Sequence, residues 1–138
     1  MHCRVKWVDG MSFMAETESG HVLMMDGAPE GGGRNLAPRP METVLAGTGG
    51  CTVYDVVAIL RKSGQNVTGC EVRLEADRAE SDPKVFTRIH LHFTVRGKNL
   101  RANLVEHAIR LSHQKYCSAS IMLGKTAHIT HDHEIQED

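Results

Sequence analysis

The chain has 138 residues, 16 Lys and Arg against 17 Asp and Glu, and a formal net charge of −1. Without a basic block, this balance excludes nucleic acid as an electrostatically captured partner. Hydrophobic residues make up 41% but aromatics only 4%, so the core must be built from Val, Ile, Leu and soft, polarisable Met.

The length predicts one domain over 1–138. The segment from Met1 to Gly10 lacks the apolar run of a secretory leader, and the apolar stretches read as too short for a membrane span. Both point to a cytoplasmic protein with no membrane partner. Its four cysteines are then reduced at rest, and any disulfide would be transient or catalytic.

Cys3, Val5 and Trp7 alternate with Arg4 and Lys6, and Asp9-Gly10 signals a hairpin turn. Met11–Glu16 and His21–Met25 read as the next two strands. Asp26–Arg39, rich in Gly and Pro, reads as an exposed loop. A long helix is predicted from Pro40 to a stop at Ser63-Gly64, with Pro tolerated in its first turn and Gly able to cap its end. Gly47, Gly49 and Gly50 each cost roughly 1 kcal/mol in a helix interior, so this helix is expected to be buried and closely packed. No Gly-Lys-Ser or Gly-Lys-Thr follows, which rules out a phosphate-binding loop there.

Two strands follow. The apolar faces expected are Cys70, Val72, Leu74 and Ala76 on the first, and Val85 to Val95 at every second residue on the other, with Asp82-Pro83 in the loop between them. Asn99 is predicted to cap a helix carrying Leu100, Leu104, Ala108 and Leu111. A break near Ser112-His113-Gln114 begins a short helix ending at Leu123, and Thr126–Ile135 reads as a last strand. Grouped strands and helices in this order predict an α+β fold with mainly antiparallel pairing.

Cys51 and Cys117 are the candidate reactive thiols. Each falls in a predicted helix, too far apart for a local zinc knuckle or a Cys-x-x-Cys turn, and suited to one thiol that attacks and one that resolves. A helix start near Lys115 would put Cys117 in a first turn, where the dipole favours thiolate. Taken alone, Cys51 reads better as an inert buried thiol; Cys117 shifts that balance, its own alternative again being core packing. Cys3 and Cys70 lie on apolar strand faces and read as packing residues. His90 with His92, and His131 with His133, form two same-face strand pairs. Neither has a Cys or carboxylate at metal-ligand spacing, so both read as solvated faces. His113, four residues before Cys117, reads as a surface or capping residue.

Pro40, Glu42, Leu45, the small-residue run to Cys51 and the Tyr116-Cys117-Ser118 segment resemble the OsmC/Ohr family of thiol-dependent peroxidases, and within it the YhfA-like branch. The likeness runs from Met1 to about Ile135. It implies an OsmC-like fold, with an antiparallel sheet wrapped around central helices in an intertwined homodimer. It also implies a reaction without metal, flavin or haem. Cys51 is oxidised by an organic hydroperoxide to a sulfenic acid, Cys117 condenses with it to a disulfide, and an external thiol or dithiol such as a lipoyl group restores the pair. Family members stabilise the thiolate with an N-terminal Arg and a Glu directly after the helix-starting Pro. Here Met41 follows Pro40, Glu42 comes one place later, and no Arg lies between Lys6 and Gly33. Glu42 remains the matching candidate, with Arg34 and Arg39 as substitutes for the Arg. That departure keeps open a second reading, a redox-sensing or small-ligand-binding protein on the same fold with little turnover.

Overall fold

A computed structural model describes residues 1–138 as two compact units, Met1–Ala46 and Gly47–Asp138. In the first unit, β1 (Cys3–Asp9), β2 (Ser12–Thr17) and β3 (Val22–Met25) form an antiparallel meander in that order. Gly10 turns β1 into β2 at a φ of +54°, in the left-handed region that glycine enters without steric penalty. Every residue of β1 is exposed, including Cys3, which is therefore not a buried packing residue of this chain, contrary to expectation. The Gly/Pro-rich stretch after β3 is folded around one buried carboxylate. Asp26 accepts hydrogen bonds from the backbone N–H groups of Gly27 at 2.7 Å, Leu36 at 3.2 Å and Arg34 at 3.4 Å. The Gly27 bond above all holds the Asp26 carboxyl below its usual range.

Helix α1 runs Pro40–Lys62 and enters the second unit at Gly47. It buries Thr48, Gly49, Thr52, Val56 and Leu60, a single stripe at helical spacing. The expectation of a buried, closely packed helix holds within this chain only along that stripe. A methyl group on Gly49 would lie 2.8 Å from Leu74 Cδ1 and 3.3 Å from Val72 Cγ1, whereas Gly47 and Gly50 face open space. Close approach thus explains one of the three glycines. Contrary to the sequence reading, α1 has the length and composition of a membrane span, but its buried stripe is that of a core helix.

The rest of the second unit is a three-stranded sheet ordered β4 (Asn66–Arg78), β5 (Phe86–Lys98), β6 (His128–Glu137), with helices α2 (Ala102–Leu111) and α3 (Ser118–Leu123) joined by a π-turn over Ser112–Tyr116. β4 and β5 pair antiparallel, as the alternation implies, but β6 returns parallel to β5. Ile89, Leu91, Phe93 and Val95 line the buried face of β5. The register slips by one residue where Arg78 pairs with Phe86, so Phe86 is buried and Val85 exposed, the reverse of a strict alternation. Val56 and Leu60 from α1, and Val105, Ala108 and Ile109 from α2, complete the core. Asn99 does not cap α2. It has a φ of +53° and donates its N–H to Glu137, and Arg101 occupies the cap position. The α+β expectation holds, with three of the four strand pairings antiparallel.

Candidate functional site

Four residues apart on α1, Cys51 and Asp55 project from the same helix face one turn from each other. Cys117 reaches the same place from the junction between the π-turn and α3. The two sulfur atoms and an Asp55 carboxylate oxygen all lie within 4.8 Å of one another. Ser112 ties the group together. Its Oγ donates to Asp55 Oδ2 at 3.1 Å, and its carbonyl accepts the Cys117 N–H at 2.8 Å across five residues. That wide turn is the local reason Cys117 comes out here and not on the face of a continuous helix.

Cys117 is not in the first turn of a helix starting near Lys115, as the sequence suggested. It is the N-cap of α3, in extended conformation, and its Sγ accepts the Ser120 N–H at 3.4 Å. Its side chain is fully buried, while Cys51 is half-buried. Burial pushes the Cys117 thiol above the ordinary range, and neighbouring Cys51 pushes it further; the Ser120 contacts pull against both. Cys117 therefore stays a thiol at neutral pH, and the more accessible Cys51 is the one positioned to meet a reagent first.

Asp55 was missed by sequence reasoning. The signal was the Cys-x-x-x-Asp spacing, which on a helix places the carboxylate beside the thiol. Asp55 also lines a cavity of about 540 Å³ with Tyr54, Ala58, Ile59, Lys62, Leu111 and Tyr116.

Glu42 has a different immediate role. Its Oε1 accepts the Arg39 N–H at 2.9 Å, reaching back across the first turn of α1 as the third residue of a capping box does, and lies 3.4 Å from the Arg39 guanidinium. These two contacts, the backbone one first, hold its carboxyl below the usual range. Arg34, the other suggested substitute, is paired with Asp9.

The histidines divide differently from the two equivalent pairs expected. On the outer face of the sheet, His90 Nε2 and His92 Nδ1 converge on Asp132 Oδ1 at 3.1 and 2.6 Å, so the tertiary fold supplies the carboxylate that the sequence spacing lacked. His131 lies opposite Leu91 on the inner face and packs edge-on against His113, ring centroids 5.1 Å apart. Cys70 is half-buried on β4, where desolvation pushes its thiol up to about 11, as suits a packing residue.

The OsmC-like protein family model matches residues 31–132, running across the boundary between the two units. Protein YhfA of Escherichia coli K12 is 47% identical over 135 residues, 98% of each chain. One solved structure, 46% identical and covering 100% of both chains, superposes with a TM-score of 0.91. A protein from Aquifex aeolicus VF5, 24% identical over 99% of this chain and 96% of that one, has a TM-score of 0.87. An organic hydroperoxide resistance protein from Legionella pneumophila shares the fold at 17% identity and a TM-score of 0.70, each chain covered to 97%.

Proposed function

The chain belongs to the OsmC-like protein family, and on that premise we propose that it is a thiol-dependent peroxidase acting on organic hydroperoxides. The observation that carries this is the approach of an accessible thiol, a buried thiol and a carboxylate within 4.8 Å. The hydroperoxide resistance proteins among its structural neighbours support the substrate class.

In this reading Cys51 attacks the terminal peroxide oxygen. The S–O bond forms as the O–O bond breaks, and Asp55 passes the Cys51 thiol proton to the departing alkoxide, releasing an alcohol and leaving a Cys51 sulfenic acid. The Cys117 thiol then displaces water from that sulfenic acid to give the disulfide. A disulfide needs about 2.05 Å between sulfurs, so the two sulfurs, already within 4.8 Å, close further as the bond forms. An external thiol or dithiol, a lipoyl group in the family pattern, returns both residues to thiols. The organic group of the substrate occupies the cavity lined by Tyr54, Ile59 and Leu111. Glu42, one place past the family's position for its activating Glu and paired with Arg39, is the nearest acidic counterpart in the sequence. No metal or organic cofactor takes part in this cycle.

We read 1–138 as one OsmC-like domain, working in the cytoplasm as an intertwined homodimer. The large apolar side chains that one chain leaves exposed, Val5 and Trp7 among them, favour the dimer.

The test is a thiol titration of reduced protein before and after one equivalent of cumene hydroperoxide. Wild type is expected to lose two thiols, and the Cys51→Ser variant none. A Cys51→Ser protein that turns over hydroperoxide at the full rate overturns the reading. A single stoichiometric oxidation, with no second cycle when dithiol is supplied, would make the protein a redox sensor.

A further inference from the structure

The three donors that meet at α1 and the π-turn have a second chemistry that peroxide reduction does not use. We propose that reduced Cys51 and Cys117 with Asp55 form a binding site for a thiophilic divalent cation of the zinc class. The site needs only reduced thiols, so it does not depend on peroxide being the substrate.

Zinc is held by thiolate sulfur at about 2.3 Å and carboxylate oxygen at about 2.0–2.2 Å. Tetrahedral ligands at those bond lengths stand roughly 3.3–3.8 Å apart. The three donor atoms already lie within 4.8 Å of one another, so a contraction of about 1 Å brings them into range. Two soft sulfurs select zinc, cadmium or cobalt over magnesium and calcium, which take all-oxygen shells.

Two of the three donors are oriented by neighbours, as metal ligands commonly are. Ser112 Oγ donates to Asp55 Oδ2, leaving the other carboxylate oxygen available, and the Ser120 N–H donates to Cys117 Sγ and favours its anionic form. Cys51 is half-buried and leaves a way in for the ion, while the fourth coordination position is open to water or a small thiol. On binding, the two thiols give up their protons to solvent. Two thiolates, one carboxylate and the dication leave a net charge of −1 at the site, far less costly to hold in a half-buried position than an unpaired dication. A sulfur pair committed to metal is not free to attack peroxide, so the ion caps the reactive thiols.

Reduced, metal-free protein without a histidine tag is titrated with Co²⁺ and followed by absorbance. The expected result is one equivalent bound, with thiolate-to-cobalt charge-transfer absorption, tetrahedral d–d bands and release of two protons. Zn²⁺ displaces the cobalt. Affinity falls at least tenfold in Asp55→Asn and Cys117→Ser and is unchanged in Cys70→Ser. Protein carrying the Cys51–Cys117 disulfide binds none, a comparison that requires no substitution to fold. Absence of charge-transfer absorption overturns the proposal, because cobalt would then sit on oxygen and nitrogen donors such as the His90, His92 and Asp132 face. Equal binding by the oxidised protein overturns it too.

Hydroperoxide-dependent thiol loss is read in parallel on the metal-free protein and falls at least tenfold when Zn²⁺ is saturating. Metal binding without hydroperoxide turnover sustains the cation site and removes the peroxidase. Turnover without metal binding does the reverse.

Discussion

Asp55 stands one helical turn beyond Cys51, with Ser112 fixing its orientation. Its proposed role as proton carrier of the first step predicts that Asp55→Asn slows hydroperoxide-dependent thiol loss by about 10²-fold; a rate within twofold of wild type would remove it from the chemistry. Cys117 makes a prediction of a different kind. Because burial raises its thiol above the ordinary range, the condensing step accelerates as pH rises from 7 towards and beyond 9, whereas disulfide formation that is flat with pH would show that ionisation of Cys117 does not limit it. Cys70 is not one of the three donors that meet there, and its prediction concerns stability. Its folded-state value of about 11 exceeds the ordinary 9.0, so between those values the unfolded chain has lost a proton that the folded chain retains. Stability is therefore undiminished by Cys70 below pH 9 and falls as pH rises from about 9 to about 11. Urea midpoints across that range are expected to fall more steeply for wild type than for Cys70→Ala. The residue types of all three positions were plain in the sequence. Their different environments were not, because each is set by residues remote in the chain, Ser112 for Asp55 and the sheet partners for Cys70.

At the scale of elements, α1 tests how glycine is used inside a helix. Gly49→Ala places a methyl against Val72 and Leu74, an overpacking cost of about 1–3 kcal/mol that the better helix propensity of Ala, about 1 kcal/mol, only partly offsets. Gly47→Ala and Gly50→Ala meet no neighbour in the chain and are expected to stabilise it by about 0.5–1 kcal/mol. Chemical denaturation of the three variants checks the order, and Gly49→Ala emerging as the most stable would refute the close approach of α1 to β4. The helix itself was legible from Pro40, the apolar spacing and Gly64. Which of its glycines met another element was not, since a one-dimensional pattern shows a small residue without showing what crosses it. The π-turn was legible only as an interruption near Ser112. Its geometry depends on the bond from the Cys117 N–H to the Ser112 carbonyl, and it moved Cys117 from a first helical turn to a cap. Similarly, the two His pairs looked equivalent until the parallel register of β6 against β5 set Asp132 beside His92 and turned His131 to the inner face.

For the molecule as a whole, one chain leaves Trp7 69%, Val5 53% and Leu36 74% exposed, and Val5 and Trp7 share one face of β1, which the proposed dimer would cover. Light scattering is expected to give twice the chain mass of 15.2 kDa. Trp7 is the only tryptophan, so its emission reports this face directly. In the proposed dimer it should lie to the blue of a solvated indole and move red on dilution below the dissociation constant. A chain of single mass with solvated Trp7 emission would contradict the intertwined assembly.

Local pattern by itself determined the α+β class, the long helix from Pro40 and the strand pair around Asp82-Pro83, and it marked Cys51 and Cys117 as candidates for chemistry. Each of those rests on periodicity, turn residues and side-chain type, which act over a few neighbouring residues and are written directly in the chain. Tertiary structure alone decided that β6 runs parallel to β5, that Cys117 is buried and raised in pKa, and that Asp55 joins the two thiols. Those outcomes depend on long-range register and on desolvation by distant residues. A sulfur 66 residues from its partner carries no local mark of whether the fold will bring the two within reach.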